Sequence, residues 1–134
     1  MTPRILIAED EPFILESLNF LLGREGYLLV AVQDGAEVLA AVERERPDLI
    51  VLDAMLPGQD GFGILGELRA SSFGATTPVL VLTAKGQEAD RKRMMALGAD
   101  AFVTKPFANR DLLAEIAGLL DRGEAGAREA NHGT

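Results

Sequence analysis

Four short apolar runs, each ending on a polar residue, constrain this chain more than any other feature. Ile5-Leu6-Ile7-Ala8 leads into Glu9-Asp10-Glu11, and Leu49-Ile50-Val51-Leu52 into Asp53. Val79-Leu80-Val81-Leu82 leads into Thr83, and Ala101-Phe102-Val103-Thr104 into Lys105-Pro106. Aliphatic runs of this length, without alternation, read as strands buried on both faces, as in a parallel sheet. Open parallel sheets bind ligands at the carboxyl ends of their strands. The periodicity alone therefore gathers several acids, a hydroxyl and an ammonium at one edge of one sheet.

Helical patterns fall between the runs, which argues for βαβ units. After a first strand at about residues 4–8, Pro12 suits the first turn of a helix, where a missing N–H costs nothing. Ile14, Leu18, Leu21 and Leu22 form the expected buried stripe of that helix, and Gly23 and Gly26 offer its stop. A second strand is expected over 27–32, a turn at Asp34-Gly35, and a second helix marked by Val38, Leu39 and Val42 that Pro47 ends. The third strand spans 48–53. The Pro- and Gly-rich segment 56–61 is a loop, and a third helix covers 62–70 with Ile64, Leu65 and Leu68 inward. Pro78 opens the fourth strand. A polar fourth helix covers 87–97, Gly98 caps it, and a fifth strand covers 100–104. Asn109 caps a last helix bearing Leu112, Leu113, Ile116, Leu119 and Leu120. Residues 1–122 thus read as one domain in a three-layer α/β sandwich, and 123–134 as a short flexible tail.

Composition removes several function classes. The 134 residues include no cysteine, and the single histidine, His132, lies in the tail, so thiol chemistry, a Ser-His-Asp site and a His-rich metal site are not expected. No apolar stretch approaches the roughly 20 residues of a membrane span, and no secretion signal is recognised, which points to a cytoplasmic protein with no membrane partner. The net charge of −8 argues against direct nucleic-acid binding. Arg91-Lys92-Arg93, the nearest thing to a basic stripe, reads as a solvated helix face.

At the strand ends, Glu9, Asp10 and Asp53 would repel one another, and protonation or a cation relieves such repulsion. With oxygen ligands alone the cation is Mg²⁺ or Mn²⁺ rather than zinc. The plainer alternative is that Asp10 or Glu11 simply caps the helix opened by Pro12. A carboxylate can also serve as a nucleophile and form an aspartyl-phosphate. Lys105 can offset the charge of that product as a mobile point charge, and Thr83 can donate its hydroxyl to a phosphoryl oxygen. A cis bond at Lys105-Pro106 would fold Lys105 back towards the strand ends.

Taken in order, the acidic pair after strand one, Asp53-Ala54-Met55-Leu56-Pro57-Gly58, Thr83-Ala84, and Phe102-Val103-Thr104-Lys105-Pro106-Phe107 resemble the receiver domain of two-component response regulators over about residues 4–120. The resemblance implies a flavodoxin-like (βα)5 fold with five parallel strands in the order 2-1-3-4-5. It implies a signalling domain that accepts a phosphoryl group and is no enzyme in the usual sense. By the same resemblance Asp53 matches the phosphoacceptor and Asp10 the direct metal ligand. Glu9 matches the acid that usually holds the metal through water, standing where aspartate is commoner. The backbone carbonyl of Met55 matches the third protein ligand, Lys105 the phosphate-pairing lysine, Thr83 the switch hydroxyl and Phe102 the switch aromatic. Met55 and Lys85, each two positions beyond a key residue, stand where phosphate lifetime is tuned. The implied donor is a sensor histidine kinase or a histidine phosphotransfer protein, and the cofactor Mg²⁺ or Mn²⁺.

The implied output surface is the fourth helix, fifth strand and fifth helix, acting on a downstream protein or output domain from a monomer or a weak phosphorylation-dependent dimer. There Met95 is expected to fill the core, leaving Met94 or Leu97 for a partner. Two other readings compete. A phosphotransfer enzyme acting on small esters needs an acid two residues after the nucleophile, and that position is Met55. A non-phosphorylated interaction module would not need the acceptor and the lysine.

Overall fold

The computed structural model describes residues 2–84 and 88–132. Five strands, β1 (Arg4–Ala8), β2 (Leu28–Val32), β3 (Leu49–Asp53), β4 (Val79–Ala84) and β5 (Ala101–Lys105), alternate with α1 (Pro12–Arg24), α2 (Val38–Glu45), α3 (Gly61–Ala70), α4 (Glu88–Ala96) and α5 (Asn109–His132). A single 3₁₀ turn, Gly35–Glu37, precedes α2. All strand pairs are parallel and the order is β2-β1-β3-β4-β5, the flavodoxin-like arrangement the motifs imply.

The aliphatic runs lack alternation because helices cover both sheet faces. Ile5, Ile7, Leu49, Val51, Leu80 and Leu82 pack under α1 and α5. Leu6, Ile50, Leu52, Val79 and Val81 pack under α2, α3 and α4. Burying such a side chain fully contributes about 1.5–3 kcal/mol, so the central strands and their helical covers carry most of the fold's stability.

The helices correct the sequence reading in detail. On α1, Leu15 is buried with Leu18, Leu21 and Leu22, while Ile14 packs only partly, at the rim. On α2, Ala41 joins Val38 and Val42 inside, and Leu39 is half-buried. The adjacent methionines reverse the expectation: Met94 is wholly buried and Met95 is 62% exposed. Adjacent helical residues point about 100° apart, so only one can face the sheet, and the phase of α4 gives that place to Met94. Gly98, at φ +107°, ends α4 as expected; its N–H donates to the Met95 carbonyl and the Ala99 N–H to that of Met94.

The backbone of α5 is helical to His132, so helix continues into the stretch that the sequence reading assigns to a flexible tail. Glu124, Ala125, Ala127, Arg128, Glu129 and Ala130 are good helix formers, which offsets the cost of Gly123 and Gly126. Among the described residues, no helix is long and apolar enough to cross a membrane.

Candidate functional site

Strand register assembles the site. Ala8 pairs with Leu52, so Glu9 comes level with Asp53; Asp53 pairs with Leu82, Thr83 with Thr104, and Ala84 with Lys105. Alternation then sorts the side chains. Glu9, Asp53 and Lys105 share the parity of Ile7, Val51 and Val103 on the α1/α5 side, whereas Thr83, Phe102 and Thr104 share that of Val81 on the α3/α4 side.

Three consecutive acids after β1 take three different tasks. Glu11 caps α1, its carboxylate accepting from the N–H groups of Phe13 at 3.3 Å and Ile14 at 3.0 Å. Glu9 turns inward and is 0% exposed. Its Oε2 accepts from the Glu11 N–H at 3.1 Å, and its Oε1 lies 2.9 Å from Lys105 Nζ. Asp10 stays exposed, yet Glu9, Asp10 and Asp53 each bring one carboxylate oxygen within 4.8 Å of the other two. Capping is thus Glu11's task, and it leaves Asp10 available to the cluster.

Asp53, 5% exposed at the end of β3, is held from two sides. Its Oδ1 accepts from the Met55 N–H at 3.0 Å and its Oδ2 lies 3.2 Å from Lys105 Nζ. The Lys105-Pro106 bond is cis. Burial pushes the Glu9 pKa up, contact with Asp53 raises it further, and Lys105 and the Glu11 N–H oppose the rise in part. Burial acts to lower the Lys105 pKa, but Glu9 and Asp53 outweigh it and the net shift is upward. Among the described residues one ammonium, that of Lys105, contacts two of the three clustered carboxylates, and the set is all oxygen with negative charge in excess. That donor set fits a hard divalent cation such as Mg²⁺.

Thr83 is 2% exposed, and its hydroxyl has no hydrogen-bond partner among the described residues. Such an orphaned buried group costs free energy and marks a place where a polar ligand would be welcome. Phe102 is half-buried, with the Arg91 guanidinium carbon 5.3 Å from its ring centroid. Arg93 lies 4.1 Å from the Phe62 centroid, so two members of the basic triplet stack on aromatic faces. Lys85 lies outside the described residues. Met55 exposes its side chain beside Asp53.

Sequence reasoning missed the supports of the loop after Asp53. The Gly61 N–H donates to the Ala54 carbonyl at 3.2 Å, and a Cβ on Gly61 would come within 2.8 Å of Met94 Cε. Gly35 and Gly58, which read as ordinary turn residues, also bear on this loop; the signal was an Asp-Gly and a Pro-Gly pair in separate turns.

Comparison with known proteins agrees with this geometry. A family model described as the response regulator receiver domain matches residues 5–117. Alkaline phosphatase synthesis transcriptional regulatory protein PhoP of Bacillus subtilis is 42% identical over 127 residues, 95% of this chain and 52% of that protein. Sensory transduction protein RegX3 of Mycolicibacterium smegmatis is 43% identical over 119 residues, 89% of this chain and 51% of that protein. The chain thus spans about half the length of these curated relatives. The receiver domain of a sensor histidine kinase from Pseudomonas aeruginosa PAO1, solved with a magnesium ion coordinated in its active-site cleft, aligns with a TM-score of 0.83. It is 30% identical, over 90% of this chain and 99% of that one.

Proposed function

The chain belongs to the response regulator receiver family, whose members are phosphoacceptor signalling modules rather than enzymes in the usual sense, and we propose that Asp53 is its phosphoacceptor. The carrying observation is the convergence of Glu9, Asp10, Asp53 and Lys105 on one pocket of excess negative charge. A carboxylate oxygen of Asp53 attacks the phosphorus of a phosphohistidine on a sensor histidine kinase or phosphotransfer protein. A P–O bond forms, the P–N bond breaks, and the histidine leaves with a proton. Lys105 stays ionised, consistent with its raised pKa, and pairs with the added phosphoryl charge.

Glu9, Asp10, Asp53 and the Met55 carbonyl would hold Mg²⁺ or Mn²⁺, which when bound neutralises charge on the transferring group. Thr83 donates its unpartnered hydroxyl to a phosphoryl oxygen and vacates space into which Phe102 turns. The signal leaves by α4, β5 and α5, where Met95, not Met94, is the exposed apolar contact for a downstream partner or a weak dimer. Met55 and Lys85 tune the lifetime of the phosphate. Leu112, Ile116, Leu119 and Leu120 of α5 pack in the core, which supports a receiver unit of residues 1–122, acting in the cytoplasm.

Incubation with Mg²⁺ and a small phosphodonor should add one phosphoryl group, read by intact mass, that Asp53→Ala cannot accept. No adduct on the wild type, or equal labelling of Asp53→Ala, would sink the proposal.

A further inference from the structure

The loop after Asp53 is anchored from a second, distant turn. Asp34 ends the β2 connection, and its Oδ1 accepts from the Ala36 N–H at 2.8 Å. The next residue, Gly35, is buried, and its N–H donates to the Pro57 carbonyl at 2.8 Å. A Cβ on Gly35 would overlap the Gln59 carbonyl oxygen and come within 2.8 Å of the Gln59 nitrogen. Facing it, Gly58 has φ +87°, and a Cβ there would overlap Asp34 Oδ1. Gly35 therefore lets the two turns meet backbone against backbone, and Gly58 leaves room for the Asp34 carboxylate, where a methyl group on Gly35 would force the turns apart and one on Gly58 would displace that carboxylate.

The ends of the same loop are fixed separately. The Met55 N–H donates to Asp53 Oδ1 at 3.0 Å, the Ala54 N–H to the Leu82 carbonyl at 3.1 Å, and Asp60 caps α3 by accepting from the Gly63 N–H at 2.9 Å. Between these ends, the bond from Gly35 to Pro57 ties the middle of the loop to the β2 side of the sheet.

We propose that Asp34 and Gly35 are positioning residues for the metal and phosphoryl site, setting the place of the Met55 backbone through the loop they clamp; this rests on the reading of Asp53 as phosphoacceptor. Glu9 and Asp53 stand at strand ends and are fixed by the sheet. Met55 stands on the loop; the bond from its N–H to Asp53 fixes one side of it, and the direction of its carbonyl depends also on the loop's anchor. Neither Asp34 nor Gly35 belongs to the acidic cluster itself.

The test compares wild type, Gly35→Ala, Asp34→Ala and, as a control, Gly66→Ala, where an added Cβ meets nothing within 4 Å. Mg²⁺ affinity is measured by calorimetry, and amide exchange of Met55 and Gly61 by NMR in metal-free protein. Gly35→Ala should bind Mg²⁺ about 10-fold more weakly, as when a supporting residue behind a metal ligand is lost, with faster exchange at Met55. Asp34→Ala should shift both readouts the same way and keeps the question answerable if Gly35→Ala does not fold. Gly66→Ala should leave both unchanged. Wild-type affinity and exchange in the folded Gly35→Ala or Asp34→Ala protein would overturn the positioning role. A wild type that binds no Mg²⁺ would overturn the phosphoacceptor reading and this inference with it.

Discussion

The two ends of the sheet carry charged residues in opposite conditions. At the amino ends of the strands the charges are matched. The Arg4 N–H donates to Asp48 at 2.8 Å and its guanidinium to the Glu45 carbonyl at 2.9 Å. Arg69 donates to the carbonyls of Gly74, Thr77 and Gly98 and to Asp100, which also accepts from the Val79 N–H. At the carboxyl ends, among the described residues, three acids cluster with one lysine that pairs with two of them, and a buried hydroxyl is left over. The contrast separates structural from functional electrostatics. One edge is closed on itself and serves the fold. The other carries unmatched charge, which, on the reading of Asp53 as phosphoacceptor, a cation and a phosphoryl group complete. The raised Glu9 pKa says the same: its protonated form is favoured in the folded state, so that contribution to stability is present at low pH and lost as pH rises through the raised value.

The sharpest way to break this comparison is Arg69→Ala. Arg69 joins α3 to the connection before β4 and to the end of α4, and its side chain is only 18% exposed. Its loss strands three carbonyls and the Asp100 carboxylate. Asp100 and the carbonyls can partly rehydrate, so the cost should be about 2–4 kcal/mol in urea unfolding. Mg²⁺ affinity of the folded variant should be unchanged. A variant as stable as wild type, or one that loses Mg²⁺, would mean the two edges are not separate in function.

The unfinished edge predicts the opposite pattern with a smaller size. Mg²⁺ at ten times its Kd should stabilise the wild type by about 1.4 kcal/mol, by mass action on the folded state, and chelation should remove that gain. In Asp53→Asn the gain should shrink or vanish, while the metal-free variant is at least as stable as wild type, because one of three crowded carboxylates is gone. Thermal unfolding with and without chelator reads both. A metal-free Asp53→Asn less stable than wild type would show that Asp53 is already satisfied by Lys105 and the Met55 N–H.

The fold was legible because the four unalternating runs leave few alternatives to a parallel sheet, and the acids at strand ends follow from that sheet. Other features depend on tertiary contacts that leave no local trace. In α4 the polar stretch before Met94 and Met95 defines no apolar stripe, so helix phase comes from packing Met94 against Gly61. Arg69 reads as an ordinary arginine near a helix end, because the carbonyls it serves come from separate loops. Asp34-Gly35 and Gly58 each look like a turn; only the fold shows that they meet. The run Glu9-Asp10-Glu11 signals acid at the site but cannot apportion it among three neighbours, since burial, exposure and capping are decided by where the strand stops and the helix begins.

Glu11→Ala tests that apportioning and has the smallest expected effect. Glu11 serves the backbone of α1 through Phe13 and Ile14, and it is not one of the clustered acids. Removing a capping carboxylate typically costs about 1 kcal/mol. The loss should appear as a lower unfolding midpoint with no change in Mg²⁺ affinity or in phosphoryl uptake by Asp53. Asp10→Ala is its counterpart: exposed and uncapping, it should leave the midpoint of the metal-free protein nearly unchanged and weaken Mg²⁺ binding instead. Two adjacent acids with exchanged phenotypes would place the boundary between the closed and the unfinished electrostatics within a single peptide bond. Equal effects from both substitutions would instead make the acidic run one diffuse field, and the separate tasks of Glu9, Asp10 and Glu11 would no longer hold.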